Sequence, residues 1–527
     1  MRLVRAIAVM ASIMPGWSAS PELTIEIRDY ANLPVTGAVD GPGNSAGLLA
    51  RINFLRQEPG GKRRIFVNDL NGSLYILDKE TRKATTYLDF NGVAGRPGIF
   101  HRLAIDQLLA SGFISFEFDP DYQHNGKFYT IHLEDPKLPA SAVPDNQSFP
   151  KLNLSGYSVT PAIHTFGRVE KDAVLVEWTD TDISNATFEG TAREVMRLEY
   201  TGSIHPMGDL IFNPTARPGD PDWRVMYVAT GDGGNGEQTN DVRDNPQRLD
   251  MLVGKILRIV PDLKEQPNRS TVSENGRYRI PNDNPFAAKA GARKEIWAYG
   301  LRNPHRLAWD VDPANRANNH LLAMVIGLRT WETVDIIHKG ANFGYSRREG
   351  PQELHADNSL SGPPSEDVIP VRIDGSKTDG TVHPAYPVIA YTHNREAGVI
   401  AIANGFVYRG KAIPALRGKF LFGDITSGRL WWSDMKEMLA VDDGDPKTMA
   451  EMHDVKIAAN GEVFPRMAPI IEVAYHARGG KAPHLPGAER VPGGRSDIRL
   501  AMDREGELYI MSKSDGVVRA VVGATLK

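Results

Sequence analysis

One histidine and one arginine stand where each could take part in chemistry. His205 comes directly before an apolar segment, so we expect it at the entrance of a strand, where an imidazole could accept a proton near neutral pH. Arg302 and Asn303 lie between two strand-like runs, on a segment fixed by Pro304. A guanidinium there could hold a carboxylate or stabilise an oxyanion. The residues alone leave a structural role open for both His205 and Arg302.

Other kinds of chemistry find little support in the sequence. The turn Asp232-Gly233-Gly234-Asn235 could offer oxygen ligands to Ca²⁺, but a plain glycine turn is the simpler interpretation. The chain has no cysteine, which excludes disulfides, iron–sulfur clusters and cysteine nucleophiles. The motifs of phosphate loops, dinucleotide-binding folds and zinc hydrolases are also missing. A formal net charge of -4 indicates neither nucleic acid nor an anionic membrane as the main partner.

A strand–turn–strand pattern recurs and predicts the elements that position these residues. Each copy has an apolar run, a turn rich in Asp, Asn, Pro or Gly, and a second apolar run. The copies are residues 64–77, 113–131, 209–229, 306–325, 405–424 and 498–511. Because one such unit cannot bury both of its faces, neighbouring units must stack around an axis. The pattern predicts an all-β chain that forms a six-bladed β-propeller of four-stranded antiparallel blades with long inserted loops.

The N-terminus predicts export. A basic start is followed by a short apolar stretch and then by small residues, which is the layout of a signal peptide over residues 1–20. Residues 21–527 are then expected to form a single propeller domain in the periplasm or outside the cell. No later segment is long enough to be a membrane-spanning helix.

Several motifs occur together and in a fixed order. They include Tyr299-Gly300-Leu301-Arg302-Asn303-Pro304, then Trp331-Glu332-Thr333-Val334-Asp335, then Gly405-Phe406-Val407-Tyr408-Arg409-Gly410. On these motifs the chain resembles the glucose/sorbosone dehydrogenase family, the soluble pyrroloquinoline-quinone (PQQ) sugar dehydrogenases. The resemblance extends from about Arg64 to Val518.

The resemblance implies a reaction and a set of site residues. Members of this family use PQQ and Ca²⁺ to oxidise the anomeric hydroxyl of an aldose to a lactone, and they pass electrons to an external acceptor. His205 matches the proton-accepting base and Arg302 the residue that stabilises charge on the quinone. The expected cofactor contacts are Arg302, Asn303, His305, Arg495 and Arg499. The calcium loop maps onto the backbone carbonyls of Gly327 and Leu328, with Glu332 as the nearest carboxylate.

The chain also departs from the family pattern, which keeps a second hypothesis open. Ala110, Ile204, Ile326 and Leu328 stand where relatives carry polar residues, and no basic residue stands at the fifth-blade quinone position near Thr426. PQQ carries three carboxylates, so its site should offer several cations. The alternative is a quinone-free propeller that binds a glycan or a protein. A calcium-dependent lactonase is a weaker third hypothesis, since no carboxylate cage can be assembled from the sequence.

Overall fold

The structure, a computed structural model, describes residues 21–37, 47–61, 63–105, 111–237, 241–312 and 314–527. Two features singled out above lie outside the described residues: the expected signal peptide, residues 1–20, and Ala110.

The main strands of the described chain form six groups of four, numbered by the order of their first strands. Group 1 comprises Ile52–Gln57, Arg64–Asp69, Ser73–Asp78 and Ala84–Asp89. Group 2 comprises Phe113–Phe118, Lys127–Glu134, Lys171–Asp180 and Gly190–Tyr200, with Leu152–Asn153 on its edge. Group 3 comprises Met207–Phe212, Met226–Thr230, Lys255–Ile259 and Ile296–Tyr299. Group 4 comprises Asn303–Asp310, His320–Ile326, Trp331–Ile336 and Ile389–Thr392. Group 5 comprises Ile402–Val407, Lys419–Asp424, Leu430–Asp434 and His453–Ala459, with Glu462–Phe464 beside the last strand. Group 6 comprises Ile498–Met502, Leu508–Ser512, Val517–Leu526 and the N-terminal strand Leu23–Asn32.

Shorter elements lie between these strands. The small hairpin strands are Ser270–Val272, Arg279–Pro281, Arg348–Glu349, Gln352–Leu354, Leu360–Ser361, Ile369–Arg372 and Thr378–Val382. The α-helices are Tyr122–Asn125, Met435–Ala440 and Ala468–Ala477. The 3-10 turns are Val93–Gly95, Asn235–Glu237, Asp241–Gln247, Arg316–Asn318 and Pro414–Leu416. No helix in the described ranges is long and apolar enough to cross a membrane.

The six groups follow one another around a ring. Within each group the strands pair antiparallel from the first strand outwards. The first strands of successive groups contact each other, and the first strand of group 6 also contacts that of group 1. A separate buried apolar cluster lies between each pair of neighbouring groups. Burial of apolar side chains between the groups therefore holds the ring together.

The N-terminal strand closes this arrangement. Its apolar side chains alternate with polar ones, and Leu23, Ile25 and Ile27 are buried as a half-exposed strand requires. It pairs antiparallel with Val517–Leu526 and parallel with His453–Ala459, so it joins groups 5 and 6 into one sheet. The two ends of the described chain thus lie side by side.

The prediction of an all-β chain is confirmed, since the α-helices of the described residues have 4, 6 and 10 residues. Five of the six predicted repeats coincide with the first two strands of a group. The first repeat is shifted: residues 64–77 form the second and third strands of group 1, and its first strand is Ile52–Gln57. That strand was missed because its run Ile52-Asn53-Phe54-Leu55-Arg56-Gln57 does not alternate regularly between polar and apolar residues.

Candidate functional site

The imidazole of His205 is held by a buried carboxylate. The antiparallel register that pairs Met207 with Thr230 extends by two residues, which places His205 opposite Asp232. The Nδ1 atom of His205 lies 2.7 Å from Oδ1 of Asp232. If Nδ1–H donates to this carboxylate, Nε2 becomes the basic nitrogen of the ring. The pair therefore has the arrangement of an oriented general base.

The backbone around His205 is tightly constrained. His205 adopts a φ of 53°, in the left-handed region that is unusual for a residue other than glycine. A Cβ atom on Gly231 would lie 2.4 Å from the carbonyl oxygen of His205, so only glycine fits beside it. Unusual backbone of this kind is often found at functional sites.

The turn after Asp232 wraps around its carboxylate. The N–H groups of Gly234 and Gly236 donate to the carboxylate at 2.8 and 3.0 Å. Burial raises the pKa of the Asp232 carboxyl, but His205, Arg302 and the Gly234 N–H outweigh burial, so the pKa lies below its ordinary value. The aspartate of the glycine turn thus points at His205 and serves as its partner.

Arg302 lies next to this pair. The register that pairs Asn303 with Ile326 places Arg302 opposite Gly327. Its Nη1 atom donates to the carbonyl of Gly327 and, at 3.3 Å, to that of Ile326. Its own carbonyl accepts the Asp232 N–H at 2.7 Å. His205, Asp232 and Arg302 therefore form one buried unit at the entrance of the first strands of groups 3 and 4, and the buried Asn303 begins the group 4 strand.

The expected calcium loop does not offer a cation site as it stands. The carbonyl of Gly327 already accepts a hydrogen bond from a guanidinium, and a second cation there would be repelled. Leu328 is buried against Tyr345 and Leu354. Nowhere in the described ranges do three His, Cys, Asp or Glu side chains come together as metal ligands would.

Glu332 has a structural position. Its carboxylate accepts from Nε2 of His393 and from the N–H of Ile402, both at 2.7 Å, so it joins group 4 to group 5. Burial raises the pKa of Glu332 to about 7, while His393 and the Ile402 N–H oppose this rise.

A second set of charges lies at the entrance of group 6. Arg495 forms a two-pronged ion pair with Asp497 at 3.1 and 3.2 Å. Arg499 and Lys513 are both buried, and neither forms an ion pair with a described residue. Burial lowers the pKa of Arg499 to about 10 although Asp497 opposes it. Burial, and then the charge of Arg499, lower the pKa of Lys513 far below its ordinary value.

Arg306 extends this set of charges across the ring axis. It belongs to the first strand of group 4, yet its Nη2 atom donates at 2.8 Å to Oδ1 of Asn53 in group 1, on the opposite side. Its guanidinium lies 4.0 Å from the centre of the Phe54 ring. Burial, and then the charge of Arg499, lower the pKa of Arg306 far below its ordinary value. The axis is therefore closed by a cation.

His305 lies beside these cations as a neutral ring. Burial, together with Arg306 and Arg499, lowers its pKa well below the ordinary value. Its Nε2 lies 3.0 Å from the carbonyl oxygen of Ile402, so the neutral imidazole can donate to group 5.

The structure thus places the expected residues in two neighbouring sets at one end of the ring. His205 and Arg302 form one set with Asp232, while Arg495 and Arg499 form the other with Lys513. Three participants were not predicted in these roles from the sequence: Asp232 as the partner of His205, and the cations Arg306 and Lys513. The sequence signal for Asp232 was its position relative to two predicted strands. His205 lies two residues before the first strand and Asp232 lies two residues after the second, so antiparallel pairing brings the two residues together. The sequence signal for Arg306 was a charge at the start of the apolar run Leu307-Ala308-Trp309, within a predicted strand.

Comparison with known proteins identifies the class to which this ring and site belong. Residues 200–466, just over half of the chain, match the model of the family described as Glucose / Sorbosone dehydrogenase. The chain belongs to this family.

Individual relatives are distant. The HIPL1 protein of Arabidopsis thaliana is 25% identical over 386 residues, which cover 71% of this chain and 51% of that protein. The aldose sugar dehydrogenase YliI of Escherichia coli is 32% identical over 165 residues, which cover 31% of this chain and 34% of that protein. The human Hedgehog-interacting protein is 24% identical over 274 residues, which cover 50% of this chain and 32% of that protein. The chain spans about half the length of HIPL1 and less of the other two.

Solved structures share the fold. The PQQ-bound aldose sugar dehydrogenase from Streptomyces coelicolor superposes with a TM-score of 0.51 at 16% identity, over 97% of this chain and 99% of that chain. The apo form of the soluble aldose sugar dehydrogenase from Escherichia coli gives a TM-score of 0.51 at 14% identity, over 96% of this chain and 99% of that chain.

Proposed function

We propose that this protein is a PQQ-dependent oxidoreductase that oxidises the anomeric hydroxyl of an aldose to a lactone. The observation that carries the proposal is the group of buried cations, Arg306, Arg499 and Lys513, beside the unit of His205, Asp232 and Arg302. The six strand groups would be the blades of a six-bladed propeller, with this site at the mouth of the ring.

The buried cations favour a ligand with several negative charges. A buried charge without a partner lowers the stability of the folded state by several kcal/mol, so proteins usually pair such charges. Here Arg499 and Lys513 form no ion pair with a described residue, and the Nε atoms of Arg499 and Arg306 have no hydrogen-bond partner in the described chain. The three carboxylates of PQQ would supply partners for these cations. Arg51, whose charge acts on Lys513, belongs to the same group.

Each residue of the site would then have a distinct role in the reaction. His205 would accept the proton of the anomeric hydroxyl at Nε2, while Asp232 holds the ring and stabilises the imidazolium that forms. Bound PQQ would supply the two-electron oxidant that takes the hydride from the anomeric carbon. Arg302 would donate hydrogen bonds towards the oxygen on which negative charge grows. An external acceptor would later remove the electrons.

The proposed PQQ site does not include calcium. The donors at Gly327 and Leu328 do not fit the ion as they are arranged, because Arg302 bonds to the carbonyl that the ion would need. Arg302 provides positive charge at that position instead. Treatment with a chelator should leave PQQ binding unchanged.

A quinone-free binding protein is the second candidate. The apolar Ile204, Ile326 and Leu328 around His205 favour it, as does the similarity to the Hedgehog-interacting protein, whose name describes a protein-binding role. In that case a glycan or protein surface with several acidic groups would meet the buried cations.

A titration of the purified protein with PQQ separates the two candidates. We expect stoichiometric binding, followed as quenching of tryptophan fluorescence, and reduction of a dye in the presence of an aldose. His205→Gln should retain binding and lose turnover, whereas Arg499→Met should lose binding. If saturating PQQ gives neither binding nor dye reduction, the oxidoreductase proposal is wrong and the binding protein remains.

Export to the periplasm or the cell exterior is part of the proposal and depends on residues 1–20. The N-terminal sequence of the protein recovered from its native host tests it: a start near Pro21 supports export, and an intact Met1 contradicts it.

A further inference from the structure

A second cavity lies at the other end of the ring. It has a volume of about 520 Å³ and is lined by the last residues of the first strands, among them Gln57, Phe118, Phe212, Trp309 and Val407. This volume falls within the range of small-molecule sites. Arg306 and Asn404 line its inner end, and the bond from Arg306 to Asn53 crosses the axis there. The cavity is therefore separated from His205 and Arg302.

One wall of this cavity is apolar. Ile211, Trp309, Phe406 and Met502, from groups 3 to 6, line it and remain partly exposed. The Trp309 ring packs edge-on against Tyr227, with ring centres 5.5 Å apart, so its orientation is fixed. Its indole N–H has no acceptor among the described residues. The wall thus offers an aromatic ring in a fixed orientation, while the indole N–H itself is buried.

The facing wall carries fixed polar groups. Arg56 forms ion pairs with Asp209 at 2.7 Å and with Glu117 at 2.9 Å, and its guanidinium lies 4.7 Å from the centre of the Phe54 ring. Glu117 also accepts the N–H of Phe118 at 2.8 Å. Because these side chains are already ordered, a ligand that bonds to them loses little free energy to side-chain ordering.

The charges of the cavity balance. Four arginines and four carboxylates line it, so its formal charge is zero. The end that carries His205 differs, because there the buried Arg499 and Lys513 form no ion pair with a described residue. A ligand with a large net charge would find no counter-charge in the second cavity, which therefore favours a neutral molecule with polar and apolar faces.

We propose that this second cavity binds a neutral saccharide. A pyranose ring has a C–H face that packs on an aromatic ring such as Trp309. Its hydroxyls both donate and accept hydrogen bonds, which suits the guanidinium of Arg56 and the carboxylate of Glu117. This binding needs no quinone and is independent of the function proposed for the other end.

Fluorine NMR of protein labelled with 5-fluorotryptophan tests the proposal without PQQ. The chain has eight tryptophans, and the Trp309 signal is assigned from its loss in Trp309→Phe. Glucose, maltose and cellobiose are titrated, with glucuronate as the charged comparison. We expect a neutral sugar to shift the Trp309 signal, and to shift it equally in His205→Gln, which alters only the other end.

Calorimetry with two variants tests the position of the site. Trp309→Ala should weaken binding of that sugar at least tenfold. Trp297→Ala is the matched control: Trp297 also packs edge-on against Tyr227, at 5.8 Å, but does not line the cavity. The Trp297→Ala variant should bind the sugar as the original protein does.

The proposal is overturned if no neutral sugar shifts the Trp309 signal, if only glucuronate does, or if both variants bind equally well.

Discussion

Two buried lysines show how residues of one type can differ in role. The Lys255 ammonium donates to three backbone carbonyls, those of Asn245, Pro246 and Val253, at 2.8 to 3.2 Å. Lys513 is equally buried but forms no ion pair with any residue that the structure describes, and Arg499 lies close enough to act on its pKa. Lys255 is therefore satisfied by its own fold, whereas the described residues supply no such set of acceptors for Lys513.

The two lysines should respond in opposite directions to the same substitution. Lys513→Met removes a buried ammonium that forms no ion pair with a described residue, so we expect the free energy of unfolding without ligand to rise by roughly 1–3 kcal/mol and PQQ binding to be lost. Lys255→Met removes three hydrogen bonds to buried carbonyls and should lower the free energy of unfolding by roughly 3 kcal/mol. Urea unfolding and PQQ titration of both variants measure these changes. A loss of stability in Lys513→Met would contradict a ligand-binding role.

Asp232 should act through His205 and not through the cofactor. Asp232→Asn keeps the size of the side chain but removes the charge that orients and stabilises the imidazole. We expect the rate of sugar-dependent dye reduction to fall roughly 100-fold while PQQ binding stays within about twofold. Steady-state kinetics over a pH range, with a parallel PQQ titration, provide the measurement. Equal losses of binding and rate would instead assign Asp232 a purely structural role.

At the scale of single elements, the strand Trp331–Ile336 carries a buried acid with few partners. Asp335 accepts a hydrogen bond from Thr333 at 2.8 Å and lines a small cavity beside Arg302. Burial raises its pKa from the ordinary 3.8 to about 7, although Thr333 opposes the rise. The folded protein therefore favours the protonated form of this carboxyl.

This shift makes stability depend on pH in a predictable direction. Between pH 3.8 and 7 the folded protein holds a proton on Asp335 that the unfolded chain has lost, so stability falls as pH rises through this window. Each pKa unit corresponds to roughly 1.4 kcal/mol. Asp335→Asn cannot ionise, so it should match the original protein near pH 4 and exceed it in unfolding free energy by a few kcal/mol at pH 8. Urea unfolding at both pH values checks this, and a constant difference would contradict it.

The strands could be predicted because their signals are local. Apolar runs ending at turns rich in Asp, Asn, Pro or Gly located eleven of the twelve first and second strands of the groups. The missed strand is the first of group 1, Ile52–Gln57, which lacks regular alternation, so the repeat there was taken one strand late. The N-terminal strand was also missed, because its partners lie some 430 to 500 residues further along the chain.

The candidate site depends on contacts that no local pattern contains. His205 and Arg302 could be recognised from their motifs, but the pairing of His205 with Asp232 required the strand register. Arg306 lies in group 4 and bonds to Asn53 in group 1, so its role at the axis follows only from closure of the ring. Arg499 and Lys513 become unusual only when the structure shows them buried around one acid, Asp497, which is already ion-paired with Arg495.

At the scale of the whole molecule, the ring depends on one strand from the start of the chain. Ile25 is fully buried and lies opposite Ile457 in group 5 and Ala524 in group 6. The strand thus adds a continuous ladder of backbone pairs between two groups whose other backbone contacts are few, such as the Ser496 N–H that donates to the Thr426 carbonyl at 2.9 Å. A substitution that weakens this strand should therefore destabilise the entire ring.

We expect Ile25→Ala to lower the free energy of unfolding by roughly 2–5 kcal/mol, the usual cost of truncating a large buried side chain. Glu26→Ala is the matched control, because Glu26 is the next residue and its side chain is exposed. Its ion pair with Arg28 lies at the surface, so the substitution should change the free energy of unfolding by less than about 0.5 kcal/mol. Urea unfolding followed by both circular dichroism and tryptophan fluorescence measures the effect. Since the strand closes the ring, both signals should shift to lower urea together. If Ile25→Ala shifts neither transition, the N-terminal strand does not hold the ring closed, and the direct contacts between groups 5 and 6 are sufficient to do so.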